Sequence, residues 1–394
     1  MSEHPLASLI GLSERNVVGL MSGTSLDGVD VAVVRLSGSG ADLSVELLGF
    51  KSEPYDPALR SALEAACAVH SSHVKQTSQL HVRLAHTFAE ATLHLLEEIG
   101  LTTDDIHLVG SHGQTVYHIP DSESLAGMAV RSSLQIGDPS TLAVQLDTPV
   151  IADFRATDMA LGGQGAPLAS YFDYAYFADR KETRGLLNLG GIGNLTILPS
   201  GKGSEHVYAF DTGPANMLMD ALAQRLFNTQ FDDRGKFAAA GTPKEGLVDR
   251  LLEEAFFQRE PPKSTGRELF GPRYVERLLR DGPTGSRDLL ATAMSLTVRS
   301  IHDAYTRFVA KNHKLDVLIA SGGGTRNTEL MRQLAEAFDP VPVKTTADYG
   351  IDPDAKEAIL FAVLAHEWAN GVPTNIPRVT GASRGALLGS LTMP

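Results

Sequence analysis

Apolar runs broken by glycine-rich turns alternate along the chain with stretches of helical periodicity. The first run, at residues 19–21, turns over a short Ser/Gly/Thr/Asp segment and resumes at 31–34. Strand-forming residues on both sides of a short polar turn predict a tight β-hairpin. Small residues at its tip leave backbone N–H and hydroxyl donors exposed, which suits a phosphate group. An ordinary hairpin with a polar turn is the alternative.

A third strand and two helices are predicted next. Residues 43–50 alternate in polarity, and a proline opens a helical segment at 57–69. Residues 76–99 carry apolar side chains at helical spacing and stop at Gly100. This pattern predicts a long amphipathic helix.

A polar, glycine-flanked run is predicted to follow a short buried strand. The strand is residues 106–109, and the run at 110–115 contains His112 and Gln114. Ligands collect at the carboxyl ends of strands in α/β sheets, so both side chains are candidate site residues. A mere turn is the alternative.

Two more strands are predicted at 134–136 and 149–152. The second ends in residues 153–155, and a glycine-rich run at 162–165 then leads to a helix opened by Pro167. Strands that alternate with helices in this way predict an α/β architecture.

A second hairpin of the same design spans residues 186–198, with Gly190 and Gly191 at its turn. Two such hairpins, each introducing half of the chain, predict a duplicated domain that grips a phosphate between its halves. The chain contains neither a G-x-x-x-x-G-K-[ST] run nor a G-x-G-x-x-G motif after a first strand. Their absence argues against a P-loop enzyme and weakens a Rossmann dehydrogenase.

Asp211 is the candidate general base. It follows the predicted strand 207–210 and precedes the predicted helix 217–227. A carboxylate held by a sheet beside a helix N-terminus suits proton abstraction. The alternative is that Asp211 only caps the helix.

Three more segments are candidates for ligand contacts. The loop 261–268 combines cations and hydroxyls with glycine and proline, which suits polar or anionic groups. The predicted strand 316–320 ends in Gly322, Gly323 and Gly324, which permit close approach of a nucleoside. The alanine-rich helix 354–370 begins near Glu357, either a helix-dipole partner or a reactive carboxylate.

Composition limits the possible partners. At 394 residues the chain is long enough for two domains, and 43% hydrophobic and 21% charged residues are ordinary for a globular enzyme. A net charge of −13 argues against nucleic acid and anionic membranes as partners. No apolar run is long enough for a membrane span, and no targeting segment is evident. We therefore expect a cytoplasmic protein.

Seven motifs together resemble those of the anhydro-N-acetylmuramic acid kinase family, within the superfamily of actin, the heat-shock ATPases and the sugar kinases. They occur in family order across nearly the whole chain. The motifs are GLMSGTSLDGVD (19–30), GSHGQT (110–115), ADFR (152–155), GGQGAPL (162–168), FDTGPAN (210–216), PKSTGRE (262–268) and SGGGTRN (321–327).

This resemblance implies roles for individual residues. Asp211 is the catalytic base, and Glu357 joins it in the chemistry and lies at the sugar pocket. The hairpin residues that hold the ATP phosphates are Ser22, Gly23, Thr24, Ser25, Leu26, Asp27, Gly28, Val29 and Asp30. The nucleotide is also bound by Gly190, Gly191, Gly322, Gly323 and Gly324. The anhydrosugar pocket is formed by His112, Gln114, Asp153, Arg155, Gly162, Gly163, Gln164 and Gly165.

The resemblance also implies an architecture and cofactors. The fold is α/β, a two-domain actin-like ATPase fold with a central interdomain cleft. One lobe comprises residues 1–155 and 368–394, and the other comprises residues 156–367. ATP and Mg²⁺ are expected, with the metal ligands unassigned, and the family points to a homodimer.

The implied reaction converts 1,6-anhydro-N-acetylmuramic acid, ATP and water to N-acetylmuramic acid 6-phosphate and ADP, in peptidoglycan recycling. Two rivals stay open. One is a kinase for an ordinary hexosamine hydroxyl, which would not add water oxygen at C1. The other is a non-enzymatic ATP-gated module of the actin or chaperone type, which would not need an anhydrosugar to release ADP.

Overall fold

The computed structural model describes residues 5–394, apart from Thr24 and the side chains of Pro5 and Glu268. The helices are α1 (Pro5–Gly11), α2 (Pro57–Cys67), α3 (Val74–Ile99), α4 (Pro139–Leu146), α5 (Ala156–Ala160), α6 (Ala169–Phe177), α7 (Asn216–Phe227), α8 (Lys236–Ala239), α9 (Glu245–Leu252), α10 (Ala255–Gln258), α11 (Arg267–Phe270), α12 (Pro272–Asp281), α13 (Ser286–Ala304), α14 (Thr328–Phe338), α15 (Lys356–Ala369) and α16 (Pro377–Thr380). The strands are β1 (Glu14–Ser22), β2 (Gly28–Ser37), β3 (Ser44–Pro54), β4 (Leu108–Leu125), β5 (Met128–Ile136), β6 (Val150–Ala152), β7 (Arg184–Leu189), β8 (Ile192–Leu198), β9 (Tyr208–Pro214), β10 (Val317–Ser321), β11 (Val343–Thr345) and β12 (Ser390–Thr392).

The chain divides into two compact units. Unit 1 comprises the residues up to Tyr176 and those from Ala355 onward, and unit 2 is Phe177–Asp354. The predicted boundaries, at 155 and 367, therefore need correction. Both α6 and α15 belong to unit 1, where the Tyr171 hydroxyl of α6 donates to Glu367 Oε1 of α15 over 2.9 Å.

The unit 1 sheet combines an antiparallel hairpin group with parallel strands. Its order is β12-β6-β4-β1-β2-β3, and β5 pairs with β4. β1, β2 and β3 are antiparallel neighbours, whereas β4 is parallel to β1 and β6 is parallel to β4. β1 and β2 each have four consecutive buried residues at their centres, as their valine-rich sequences favour.

The unit 2 sheet repeats this topology. Its order is β11-β10-β7-β8-β9. β7, β8 and β9 are antiparallel neighbours, whereas β10 is parallel to β7 and β11 is parallel to β10. The β7–β8 hairpin thus occupies the place that the β1–β2 hairpin has in unit 1. Two α/β units of one topology confirm the predicted duplication and the actin-like ATPase class of fold.

Helix α15 packs directly on the backbone of the unit 1 sheet. A Cβ atom at Gly19 in β1 would overlap with the carbonyl oxygen of Ala358, and one at Gly110 in β4 would overlap with that of Phe361. Only glycine permits this approach between helix and strands. The contact fixes the first turn of α15, and hence Glu357, relative to the ends of β1 and β4.

We expect Gly19→Ala to lower the free energy of unfolding by about 3 kcal/mol or more, because backbone atoms on both sides resist the added methyl group. Urea unfolding followed by circular dichroism measures the change. The matched control is Gly246→Ala in α9, where a Cβ has no heavy atom within 4 Å. That variant should be neutral or more stable by about 0.5–1 kcal/mol. Equal effects of the two substitutions would contradict this packing.

Several local predictions are confirmed and two are wrong. The segments 57–69, 76–99 and 354–370 form α2, α3 and α15. The run 110–115 does not leave the sheet as a loop, because β4 continues through it. Beyond Gln114, β4 pairs with β5 as far as Leu125, and this pairing satisfies the backbone groups that a turn would otherwise expose.

Asp211 lies within β9 and not after it. The N-cap position of α7 is Ala215, which makes no side-chain capping bond. The capping alternative for Asp211 is therefore excluded. None of the helices in the described part of the chain combines the length and the apolar character that a membrane crossing requires.

Candidate active site

The base of the unit 1 hairpin is fixed by a buried hydrogen-bond network. Ser22 Oγ lies 2.5 Å from Oε1 of Gln114, 2.6 Å from the Tyr55 hydroxyl and 3.1 Å from the Gly28 carbonyl oxygen. The Gln114 amide also donates to Thr115 O. Ser22 and Gln114 are both buried. Their side chains hold the hairpin, so a ligand contact at Ser22 would have to come from its backbone.

The hairpin turn presents mainly backbone to a ligand. Leu26 and Val29 are buried in the core of unit 1. A Cβ at Gly28 would overlap with the backbone of β3, whereas one at Gly23 would make only ordinary contacts. A phosphate at these positions would therefore contact the main chain.

Carboxylates flank this turn. Asp27 is exposed and accepts a hydrogen bond from Ser25 Oγ over 2.6 Å. Asp30 is half-buried and accepts one from Ser52 Oγ. Thr24 lies outside the described residues. The position of Asp27 agrees with a positioning role toward a cation carried with phosphate.

The unit 2 hairpin is fastened to the start of α7. The carbonyl oxygen of Gly190 accepts from the N–H of Asn216 over 3.0 Å. That of Gly191 accepts from Ala215 and Met217 over 3.0 and 3.1 Å. These bonds use the first N–H groups of α7 and bring the turn to a helix N-terminus, where the helix dipole favours an anion.

The triple-glycine segment has two different functions. A Cβ at Gly322 would overlap with Asn188 and Leu189, and one at Gly324 would overlap with Leu189. Glycine is therefore required at both positions for packing against β7. Gly323 instead lines a cavity of about 610 Å³ within unit 2. The cavity walls are formed by Asn216, Met219, Asp220, Phe231, Asp232, Asp233, Arg234, Gly323, Arg326 and Asn327. This volume lies in the usual range for a site that takes a small organic ligand.

Two donors orient the carboxylate of Asp211. The side-chain amide of Asn194 donates to Oδ1 over 2.9 Å, and the N–H of Thr265 donates to Oδ2 over 2.8 Å. Asn194 is the register partner of Asp211 on β8. Each carboxylate oxygen accepts one of these bonds and has further lone-pair capacity. The arrangement suits a general base that must keep one orientation.

Lys263 does not present its charge to a ligand. It is buried, and its ammonium donates to the carbonyl oxygens of Phe256 and Phe257 over 3.2 and 3.4 Å. Burial lowers the pKa of Lys263 to about 8. Its own carbonyl oxygen accepts from the Asp211 N–H over 3.0 Å. The prediction that this loop directs its cations at anionic groups therefore needs correction for Lys263, which docks the loop beside β9.

In unit 1 the structure brings His112, Arg155 and Gly165 together. Arg155 Nε donates to His112 Nε2 over 3.0 Å, and Nη1 donates to the Gly165 carbonyl over 2.6 Å. Burial lowers the pKa of Arg155 to about 10, and Glu357 opposes this change. The guanidinium is therefore charged near neutral pH and lies in the electrostatic range of Glu357.

The imidazole of His112 is held in one neutral tautomer. Nδ1–H donates to the Gly113 carbonyl over 2.9 Å, which leaves Nε2 to accept from Arg155. The ring packs on Phe361 of α15 with 4.6 Å between centroids. Burial, and secondarily the Arg155 cation, lower the pKa of His112 to about 3.

We expect ¹⁵N NMR to show His112 as the neutral Nδ1–H tautomer throughout pH 5–8. Unfolded histidine takes up a proton below its ordinary pKa of 6.5, whereas the folded ring does so only near 3. His112 therefore lowers the stability of the fold as the pH falls from 6.5 toward 3. Titration of this ring near pH 6.5 in the folded protein would contradict the assignment.

Glu357 occupies the first turn of α15, with solvent access to its side chain. The surrounding protein atoms raise the pKa of its carboxyl, and Lys356 and Arg155 partly offset the rise. A raised pKa favours a group that exchanges a proton over one that merely balances a helix dipole.

Asp153 is exposed and lines a separate cavity of about 270 Å³ together with His112.

The glycine-rich loop 162–165 is shaped by the buried Asp158. Its Oδ2 accepts from the Gly165 N–H over 2.8 Å, and Oδ1 accepts from Asn375 and Thr380. A Cβ at Gly163 would overlap with this carboxylate.

The rest of this loop faces outward. The Gly162 carbonyl accepts from Arg131. The side chain of Gln164 is exposed, while its N–H donates to the Thr380 carbonyl over 2.8 Å. Gln164 is thus available to a ligand.

In the described part of the chain, no group of three or more His, Cys, Asp or Glu side chains is arranged to hold a metal ion. Mg²⁺ in kinase sites commonly takes one or two carboxylates and completes its shell with phosphate and water. The lone, exposed carboxylate of Asp27 fits that pattern.

The sequence matches the family model for anhydro-N-acetylmuramic acid kinase over residues 15–394. The chain belongs to the anhydro-N-acetylmuramic acid kinase family. A relative of that name from Salinibacter ruber is 53% identical, with 99% of each chain covered. Another, from Caldanaerobacter subterraneus subsp. tengcongensis, is 42% identical over 98% of this chain and 99% of its own. The family resemblance carried by the seven motifs is confirmed, and the chain is a kinase.

A solved structure that matches this fold is more distant in sequence. Component A of (R)-2-hydroxyglutaryl-CoA dehydratase from Acidaminococcus fermentans is 13% identical, with 90% of this kinase and 99% of that chain covered and a TM-score of 0.44. The fold assignment does not depend on this likeness, because the repeated sheet topology supports it directly.

The sequence analysis did not single out several residues of the candidate site in this kinase. Asn194 lies in the second hairpin, and pairing that hairpin with the next strand would have placed it opposite Asp211. Asp158 precedes the glycine-rich loop by only a few residues. Asp220 and Phe231 gave no signal, because a helix-surface carboxylate and a loop aromatic are common in any sequence.

Proposed function

We propose that this protein hydrolytically opens 1,6-anhydro-N-acetylmuramic acid and phosphorylates its O6 with ATP, which gives N-acetylmuramic acid 6-phosphate in peptidoglycan recycling. The observation that carries the proposal is the family match, continuous from residue 15 to residue 394. It includes both hairpins, Asp211 and the Arg155 cluster.

Arg155 and His112 form the sugar-binding part of the proposal. The Arg155 fork links His112 to the Gly165 carbonyl, so imidazole, guanidinium and glycine loop keep one arrangement. The guanidinium supplies positive charge, which suits the carboxylate of a muramic acid. Glu357 lies at this part of the site, where the surrounding protein atoms raise the pKa of its carboxyl.

Asp211 is the general base. It takes a proton from the water that attacks the anomeric carbon, while Asn194 and the Thr265 N–H keep both carboxylate oxygens in place. A rigidly held base of this kind contributes by orientation as well as by proton transfer.

The reaction couples two bond exchanges. Water oxygen bonds to C1 as the bond between C1 and the bridging O6 breaks, and the proton of the water passes to Asp211. The freed O6 bonds to the γ-phosphorus as the bond from that phosphorus to the β–γ bridging oxygen breaks. Phosphoryl transfer of this kind depends mainly on positioning and charge stabilisation.

The hairpin turn of unit 1 is one proposed binding segment for ATP phosphates and the hairpin turn of unit 2 is another, while the unit 2 cavity beside Gly323 takes the nucleoside. The small residues of both turns and the junction of Gly190 with α7 support this assignment. Mg²⁺, when bound, neutralises charge on the phosphates, and Asp27 is the carboxylate proposed to hold it. The homodimer and the cytoplasmic location stay predictions.

A coupled ADP-release assay tests the proposed function. ADP should form rapidly with 1,6-anhydro-N-acetylmuramic acid and only at background level without it or with N-acetylglucosamine. Sugar-independent release would favour an ATP-gated module. A preference for the ordinary hexosamine would favour a simple hexosamine kinase.

A further inference from the structure

The carboxylate of Asp220 lines the unit 2 cavity without an intramolecular partner. It makes no hydrogen bond or ion pair with any residue that the structure describes. Burial alone raises its pKa to about 6, which reflects a carboxyl group that has lost water and gained no donor. A neighbouring carboxylate, Asp232, by contrast accepts hydrogen bonds from the N–H groups of Phe237 and Ala238.

Asp220 lies at a defined distance from the proposed phosphate end of the cavity. It follows Asn216, the first residue of α7, by four positions, so it lies on the same face about 6 Å farther along the helix. Asn216 is hydrogen-bonded to the turn of the second hairpin through Gly190. If the diphosphate of a nucleotide lies at that turn, its ribose lies beside the next turn of α7, where Asp220 is.

An aromatic side chain lines the same cavity. Phe231 is 56% exposed, so its ring is accessible to a ligand in the cavity. Its ring offers an apolar face to a base, whereas Asp220 offers only hydrogen-bond acceptors. The polyphosphate would be repelled by Asp220, so the carboxylate must face the donors of the nucleoside.

We propose that Asp220 is a nucleotide-specificity residue that accepts hydrogen bonds from the ribose hydroxyls, while Phe231 covers the base. The inference rests on the proposed function for the identity of the nucleotide. A carboxylate is a suitable partner for a ribose diol, since it offers acceptors to both hydroxyls.

Calorimetric titration of the full chain with ADP, 2′-deoxy-ADP and 3′-deoxy-ADP tests the assignment. The wild type should bind ADP about tenfold or more tightly than either deoxy analogue, as expected for a lost bond to a charged acceptor. Asp220→Ala should bind all three within about twofold of each other. The control, Asp249→Ala, removes an exposed carboxylate of unit 2 that does not line this cavity and should keep the wild-type preference.

Asp220→Asn provides a second variant of nearly unchanged size, and its preference should fall at least about threefold. Unchanged preference in a folded Asp220 variant, or no preference in the wild type, would overturn the inference. These titrations need no turnover. If nucleotide preference depends on Asp220 but ADP release does not depend on the anhydrosugar, the proposed function fails and the ribose assignment stands.

Discussion

Asp211→Asn should lower kcat by about 100-fold to 10,000-fold, the usual contribution of a general base. Asparagine keeps the size of aspartate but cannot take a proton from the attacking water. Binding of ADP and of the anhydrosugar should remain, because the proposed role of Asp211 is proton abstraction and not ligand binding. Initial rates of ADP release give kcat, and calorimetry gives the two affinities.

The matched control is Asp249→Asn, which changes an exposed carboxylate paired with Arg299 at 2.8 Å in the same unit. Its kcat should stay within about twofold of the wild type. Both donors around Asp211 face the new amide, so thermal denaturation must establish that Asp211→Asn is folded. A folded variant whose kcat stays within about tenfold of the wild type would rule out Asp211 as the base.

Arg155→Lys should lower kcat/KM for the anhydrosugar by about 100-fold or more. Lysine keeps the charge but cannot reproduce the fork that joins His112 to the Gly165 carbonyl, and each charge-assisted bond is worth about 1.5–3 kcal/mol. The ring of His112 and the glycine-rich loop would then lose their common anchor. Steady-state kinetics at saturating ATP measures the effect.

Arg131→Lys is the control for this substitution. Arg131 contacts the Gly162 carbonyl of the same loop from an exposed position, so its loss should change kcat/KM by only about threefold or less. Comparable effects at Arg155 and Arg131 would mean that the link to His112 does not matter for sugar use.

Local sequence patterns were sufficient for the two hairpins and for the duplication. Apolar runs on either side of small polar turns specify a hairpin by short-range chemistry alone. Repetition of that unit at 186–198 then predicts a second sheet of the same kind. Gly100 similarly marks the end of α3, and Pro57 marks the start of α2, without tertiary information.

The corrected predictions depend on partners distant in the sequence. The run 110–115 has the composition of a turn, yet β5 supplies hydrogen-bond partners that keep β4 extended. Lys263 has the charge of a ligand contact, but the carbonyls at the end of α10 bind its ammonium. Neither outcome follows from the residue types in the segment itself.

Half of the candidate site follows from motifs, and the other half from packing. His112, Arg155 and Asp211 stand out by their positions beside glycine and strand ends. Asp220 and Phe231 meet only because α7 and the segment after it enclose one cavity. A cavity-lining carboxylate on an ordinary helix face has no local signature.

Mass spectrometry of the product formed in ¹⁸O-labelled water tests the central claim most directly. The proposed reaction predicts one labelled oxygen at C1 of N-acetylmuramic acid 6-phosphate and none in the phosphate group at early times. Unlabelled product incubated in the same water without enzyme corrects for exchange at the anomeric carbon. A phosphorylated product that keeps the anhydro bridge, or one without label at C1 above that control, would contradict hydrolytic opening.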